Sequence, residues 1–314
     1  MDALYDRPRV VAIGGPTATG KTALSVALAR QFNGEVINAD SMQVYRGLSV
    51  GTAKATEEER AGVCHHLLDF LNPEEPYSVA EFVEMAAGLI PQITGRGHLP
   101  LVVGGTGLYI TSLLHGIAFA PQRSDPELRE ELQQEAEEQG AQALYERLRQ
   151  IDPEYAAKVH PNNLPRVIRA LEVFRLTGRK MSEEQRQSRP ETPPYRSRCL
   201  CLTYRDRAEL YRRIDLRVDK MLEQGILGEA ETVWLHKAEY RTAAQAIGYK
   251  EFFPYFEGTQ SLAACTAALK QATRRYAKRQ LTWFRHQNDA RWLYVDEEDA
   301  FGRAAELIQD FLQN

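Results

Sequence analysis

Gly15, Pro16, Thr17, Ala18, Thr19, Gly20, Lys21 and Thr22 form a G-x-x-x-x-G-K-[ST] run. In such a run the glycines let backbone N–H groups turn inward around phosphate oxygens. The lysine adds a point charge, and the Thr22 hydroxyl suits Mg²⁺. A helix starting there adds its positive N-terminal end. The pattern reports phosphate or pyrophosphate. It does not choose between a kinase, an NTP-driven machine and an enzyme that holds a pyrophosphate leaving group.

A carboxylate ends the next strand signal: Asp40, in NADSMQVYRGL, one helix and one strand after Lys21. In a parallel sheet such strand ends open on one edge, so Asp40 should face whatever lies beyond the phosphate. It suits a general base. A Mg²⁺ ligand and a helix cap are its other readings. Thr106, in GGTGLY, either hydrogen-bonds at this edge or caps the following helix. NTP-hydrolysing machines place another strand-end acid on Mg²⁺. Here LPLVVGG runs into Thr106 instead, which counts against that class. Arg213 and Arg217, four apart, share a helix face. Arg217 suits charge neutralisation on a leaving pyrophosphate, although most helix arginines are solvated or paired.

From Gly258 to Asn288 there is no acid, in a chain whose formal net charge is −4. The run LKQATRRYAKRQLTWFR carries Lys270, Arg274, Arg275, Lys278, Arg279 and Arg285, with Trp283 and Phe284 interleaved. Cations contact phosphates and aromatics stack on bases, which points to nucleic acid. A solvated face paired with distant acids is the alternative. Cys64-His65-His66 invites a metal reading, but adjacent side chains diverge on strand and helix alike, so VCHHLLD reads as structural. The four cysteines form no C-x-x-C pair, which argues against a disulfide framework and a structural zinc site.

The elements that must position these groups alternate. Strand signals at 9–15, 35–40 and 99–105 alternate with helices at 22–32 and 80–93. This predicts an α/β fold with a parallel-sheet core built around the phosphate loop. Residues 120–198 show helix starts without strands, at Asp125-Pro126 and Asp152-Pro153, with a stop at Gly178. They read as a helical insertion, so the core is 1–119 with 199–314. Strand character returns at 198–204. A D-x-x-E box at Asp206 and Glu209 starts a helix that ends at Gly225, and the rest reads as mostly helical. Four cysteines, no apolar run of membrane length and no leader pattern predict a reduced, cytoplasmic protein. A monomer is expected.

Eight stretches resemble the tRNA dimethylallyltransferases, also called tRNA isopentenylpyrophosphate transferases, in that family's order. They are GPTATGKT (15–22), ADSMQVYRGLSVGTAK (39–54), HHLLD (65–69), LVVGGTGLYI (101–110), SDPELR (124–129), HPNNLPRVIRALEV (160–173), QAIGYKE (245–251) and KRQLTWFR (278–285). The resemblance implies that the loop holds dimethylallyl diphosphate, with Mg²⁺, and that the acceptor is N6 of the adenine just 3′ of a tRNA anticodon. It makes Asp40 the base, Thr106 an active-site threonine and Arg217 the diphosphate arginine. It assigns RNA contacts to Asp40, Ser41, Met42 and Gln43, to Arg129, and to Pro165, Arg166, Val167, Ile168 and Arg169. Gln245, Ala246, Ile247, Gly248, Tyr249 and Lys250 join them, as do Lys278, Arg279, Gln280, Leu281, Thr282, Trp283, Phe284 and Arg285. The insertion would grip the anticodon stem, and the target base would flip into the pocket. The chain stops at Asn314 without the zinc-finger extension of some eukaryotic relatives, which matches the bacterial or plastid short form. The rivals are an adenylate isopentenyltransferase acting on free AMP, ADP or ATP, a small-molecule kinase, and a noncatalytic RNA-binding protein.

Overall fold

The computed structural model describes residues 7–119, 125–287, 289–297 and 299–314. The chain divides into two compact units, one of residues 1–114 with 193–314 and one of 115–192.

The first unit is built on a six-stranded sheet ordered β3-β2-β4-β1-β5-β6, parallel throughout. The strands are β1 (Arg9–Gly14), β2 (Gly34–Asn38), β3 (His65–His66), β4 (Leu99–Val103), β5 (Arg196–Thr203) and β6 (Ala290–Tyr294). The uninterrupted apolar runs of β1 and β4 follow from burial on both faces. Along β1, Val10 and Ala12 enter a layer with Phe82, Ile90, Tyr109 and Phe284. Val11 and Ile13 enter the opposite layer with Leu28, Ile308 and Phe311. The longer helices are α1 (Lys21–Gln31), α2 (Val79–Gly95), α3 (Gly107–Leu114), α4 (Arg207–Glu223), α5 (Ile226–Leu235), α6 (Leu262–Arg285) and α7 (Ala300–Gln313). Ser78 and Glu81 close a capping box at the start of α2. The box expected at α4 is not closed. Asp206 caps Ala208 N, while Glu209 turns to Arg212 and Arg213.

Two strands depart from expectation. β3 has two residues inside VCHHLLD, and β6 lies in the tail expected to be helical. Both are edge strands, held by register with β2 and β5 rather than by a long apolar run of their own.

The second unit is helical: Pro126–Gln139, Ala141–Ile151, Pro153–Ala156, Leu164–Thr177 and Met181–Gln187 around a core that includes Leu132, Leu144, Leu148, Val167 and Leu171. Asp125 caps the first helix through Leu128 N. Asp152 caps Pro153–Ala156 through Tyr155 N at 3.0 Å and also accepts from Ser182 N at 2.8 Å. Burial pushes the Asp152 carboxyl up, but those hydrogen bonds outweigh it and hold the group below its ordinary range. No helix among the described residues is long and apolar enough to cross a membrane.

Candidate active site

Three loops leave the C-terminal ends of β1, β2 and β4, neighbouring strands of the parallel sheet, and meet at one edge. The loop after β1 carries Gly15–Gly20. Gly15 has φ 130°, and a Cβ there would lie 2.4 Å from the carbonyl oxygen of Leu202 on β5, so only glycine passes. The β4 loop approaches its neighbour as closely. A Cβ on Gly104 would meet the Ala39 carbonyl at 2.1 Å. This approach sets Thr106 beside the Asp40 segment. The Thr106 amide donates to Ala39 O at 3.2 Å, and its hydroxyl accepts from Ser41 N at 3.1 Å. The Thr106 side chain therefore braces the neighbouring loop.

Asp40 accepts from Met42 N with Oδ1 at 2.9 Å. Its Oδ2 bonds to no described residue and remains available to the cavity that Asp40 lines. That cavity is about 410 Å³ and is lined by the phosphate loop, Asp40, Gly104, Arg217, Tyr276 and Arg279, among others. Lys21 folds back onto Pro16 O at 2.7 Å. Burial, then the nearby Arg217 charge, lowers its pKa from 10.5 to about 8, against the opposing pull of Asp40 and Cys201. Arg217, from α4, makes no hydrogen bond or ion pair with any described residue. Burial lowers its pKa, and Asp40 opposes the shift. Guanidinium does not deprotonate in a protein, so the site holds a half-buried cation with no directly bonded counter-ion among the described residues, in the fields of Asp40 and Glu59. Arg213, expected on the same face, pairs with Glu209 at 2.8 Å and is exposed. It does not join the site.

The loop is tied to α6 by Gln280. Its Oε1 accepts from Thr17 N at 3.1 Å, and its Nε2 donates to Gly105 O at 2.9 Å. Tyr276, one turn earlier, approaches Thr106 and Gln280 and lies in the field of Asp40. Burial, followed by the Asp40 charge, pushes its phenol up to about 12, so it stays protonated. A carboxylate, two half-buried cations and a neutral phenol thus converge on one cavity that opens on a phosphate loop.

Comparison with known proteins places this geometry in a family. The IPP transferase model matches residues 43–287, and an isopentenyl transferase model matches residues 8–69. The tRNA dimethylallyltransferase of Geobacillus thermodenitrificans is 47% identical over 300 residues, covering 96% of this chain and 95% of that one. This chain belongs to the tRNA dimethylallyltransferase family. The crystal structure of a full-length tRNA isopentenylpyrophosphate transferase from Bacillus halodurans has a TM-score of 0.73 and 44% identity, covering 98% of this chain and 97% of that one. A eukaryotic dimethylallyltransferase described as acting on tRNA has a TM-score of 0.83 at 32% identity, covering 98% of this chain and 80% of that one.

For a tRNA dimethylallyltransferase, the expected site residues occupy several different settings. Thr17–Thr22, Asp40–Gln43, Arg217, Gln245–Gly248, Lys250, Arg279 and Gln280 line the one cavity; Gly15 and Pro16 lie in the loop behind that lining, and Thr106 braces its rim. Several expected RNA contacts are buried or half-buried in packing and hydrogen-bond contacts. Phe284 is 1% exposed and lies against Gly14. Trp283 packs on Gly107 and donates to Thr111 Oγ1 at 3.1 Å. Gln280 is buried in its bridge, and Ala246 is buried. Tyr249 is buried against Gly51 and donates to Glu229. Lys278, Leu281, Thr282 and Arg285 line a separate cleft with Tyr204 and Arg207. In the helical unit Val167 and Ile168 are core. Arg129 and Arg169 both pair with the buried Glu172, whose carboxyl is raised by burial but brought below its ordinary range by hydrogen bonds from Arg169, Asp125 N and Arg129. Pro165 and Arg166 are exposed.

Two positions that shape the site carried no sequence signal. Tyr276 stood as one aromatic in a basic run. Glu229 fixes the loop after Asp40 by accepting from Ser49, Val50 and Gly51 amides at 2.9, 2.8 and 3.0 Å. Only its distance in sequence hid it.

Proposed function

We propose that this protein transfers the dimethylallyl group of dimethylallyl diphosphate to N6 of the adenine just 3′ of a tRNA anticodon, releasing diphosphate. The observation that carries this reading is Arg217, a half-buried cation with no hydrogen-bond or ion-pair partner among the described residues, lining the phosphate-loop cavity together with Asp40. A diphosphate in the loop would supply a directly bonded counter-ion. As the allylic carbon–oxygen bond breaks, Lys21 and Arg217 would neutralise the charge gathering on the leaving group. Asp40 would accept the N6 proton as the carbon–nitrogen bond forms, and its unbonded Oδ2 supports that role. The cavity walls would exclude water, which competes for the allylic carbon. Tyr276, neutral and held toward Thr106 and Gln280, would line the pocket near Asp40.

The Thr22 hydroxyl lines the cavity and donates to no described residue, so it fits a Mg²⁺ ion. Bound there, Mg²⁺ would further offset the diphosphate charge. The missing acid after β4 separates this site from NTP-hydrolysing machines. Exposed Lys250 and Arg279 at the cavity would meet RNA phosphates. A monomeric, cytosolic enzyme completes the reading.

Incubation with Mg²⁺, dimethylallyl diphosphate and unmodified tRNA, with AMP in a parallel reaction, tests it by mass analysis of the digested nucleosides. Prenylated adenosine from tRNA alone is the expected result. Product from AMP would move the acceptor to free nucleotides. No product in either, with ATP turnover, would replace the reading by a kinase.

A further inference from the structure

A second cluster of chemically capable side chains lies outside the catalytic cavity. Strand alternation puts Glu35 of β2 and His66 of β3 on one face of the sheet and Val36 and His65 on the other. Cys64, two residues before His66, shares the His66 side. His66 Nε2 lies 2.6 Å from Glu35 Oε2 and 3.4 Å from Cys64 Sγ. All three donor atoms lie within 4.8 Å of one another, and this is the one such group among the described residues. Glu35 is buried, His66 half-buried and Cys64 exposed, so a solvated ion has an entry path.

Zinc bond lengths of about 2.3 Å to sulfur and about 2.1 Å to nitrogen or oxygen give tetrahedral ligand separations of about 3.6 Å and about 3.4 Å. The sulfur–nitrogen separation is already close to this. The nitrogen–oxygen pair must open by about 0.8 Å, the change expected when an ion replaces a shared proton. Arg96 donates from Nε to Glu35 Oε1 at 3.1 Å and from Nη2 to Oε2 at 2.8 Å. The first bond can persist and orient the carboxylate while Oε2 turns to the ion. One sulfur, one imidazole and one carboxylate favour Zn²⁺ over Mg²⁺ or Ca²⁺.

We propose that Glu35, Cys64 and His66 bind one Zn²⁺-class ion, with water in the fourth position, and that the ion clips the two-residue edge strand β3 to β2. Binding releases the Cys64 thiol proton and leaves His66 neutral, with its proton on Nδ1. The site is separate from any Mg²⁺ held near Thr22.

The test is titration of the metal-free protein with Co²⁺. The expected spectrum has a thiolate-to-cobalt charge-transfer band and the strong visible bands of a tetrahedral ion, saturating at a single equivalent and displaced by Zn²⁺. Cys64→Ser should abolish the charge-transfer band and weaken Zn²⁺ at least about tenfold. His66→Gln should abolish the tetrahedral spectrum, while Cys199→Ser and Cys265→Ser should keep both. Zn²⁺ should also raise the unfolding midpoint of the wild type and not of Cys64→Ser, whose exposed position makes misfolding an unneeded explanation; circular dichroism checks that. A spectrum without the charge-transfer band, its survival in Cys64→Ser, or a weak octahedral spectrum would overturn the proposal.

Discussion

The loop edge of the sheet and helix α6 both bring polar groups to the same cavity, but they are built on different logic. At the edge, neighbours in sequence are neighbours in space: Gly15–Thr22 wraps one volume, and Asp40 and Thr106 each end a strand beside it. In α6 the helical period scatters sequence neighbours. Gln280 and Phe284 turn inward, Tyr276 and Arg279 face the cavity, and Lys278 and Arg285 line another cleft. A contiguous motif is therefore a functional unit in a loop. On a helix only its faces are units.

The largest way to break this comparison is at the loop edge. Asp40→Asn keeps the Met42 hydrogen bond and removes the proton acceptor. Turnover should fall about 10²–10⁴-fold, with tRNA affinity nearly unchanged. Single-turnover kinetics beside filter binding would show it, and unaltered turnover would remove Asp40 as the base. On α6 the comparable loss is in stability. Phe284→Ala, at a position first read as an RNA contact, should cost about 3–5 kcal/mol, seen in urea unfolding. A variant of native stability that binds tRNA poorly would return Phe284 to the interface.

The same contrast governs how much of the molecule was legible. The phosphate loop, Asp40 and the central strands were readable because each is a local pattern: a glycine spacing, or an apolar run buried on both faces. β3 and β6 were not readable, because an edge strand is specified by its partner. Glu35, Cys64 and His66 show the same limit. Read as adjacent residues, Cys64-His65-His66 diverge. Alternation pairs Cys64 with His66 and brings Glu35 from the neighbouring strand. Gln280 was expected among the RNA contacts, and its bridge from Thr17 to Gly105 exists only once the fold closes. The capping box at Asp206 failed for an electrostatic reason, since Glu209 finds two arginines on its own helix.

A smaller effect follows from Lys21, whose pKa falls from 10.5 to about 8 in the folded chain. Its charge in the free enzyme is lost as pH rises through about 8. The donor-limited kcat/KM should therefore drop by up to about tenfold per pH unit above that point. Lys21→Arg stays charged and should flatten this alkaline limb. The linkage sign runs the other way for stability. The unfolded chain holds this proton more tightly, so the cost of burying the charge is fully present below about 8 and is relieved between about 8 and 10.5. Falling activity with unchanged or rising stability in that window distinguishes deprotonation from unfolding. A limb that survives in Lys21→Arg would assign it to another group.

The smallest expected effect separates the two exposed faces of α6. Each phosphate contact removed should lower the slope of log affinity against log salt by about 0.7–0.9. If the second cleft follows the RNA backbone, Lys278→Ala and Arg285→Ala should each reduce that slope and weaken tRNA binding a few-fold, with turnover at saturating tRNA unchanged. Arg279→Ala removes a charge that lies 5.5 Å over the Tyr276 ring, beside the proposed base. It should lower kcat as well as affinity. Equal behaviour of the three variants would mean that the RNA does not distinguish the faces of this helix, and that the division between cavity and cleft is one of packing alone.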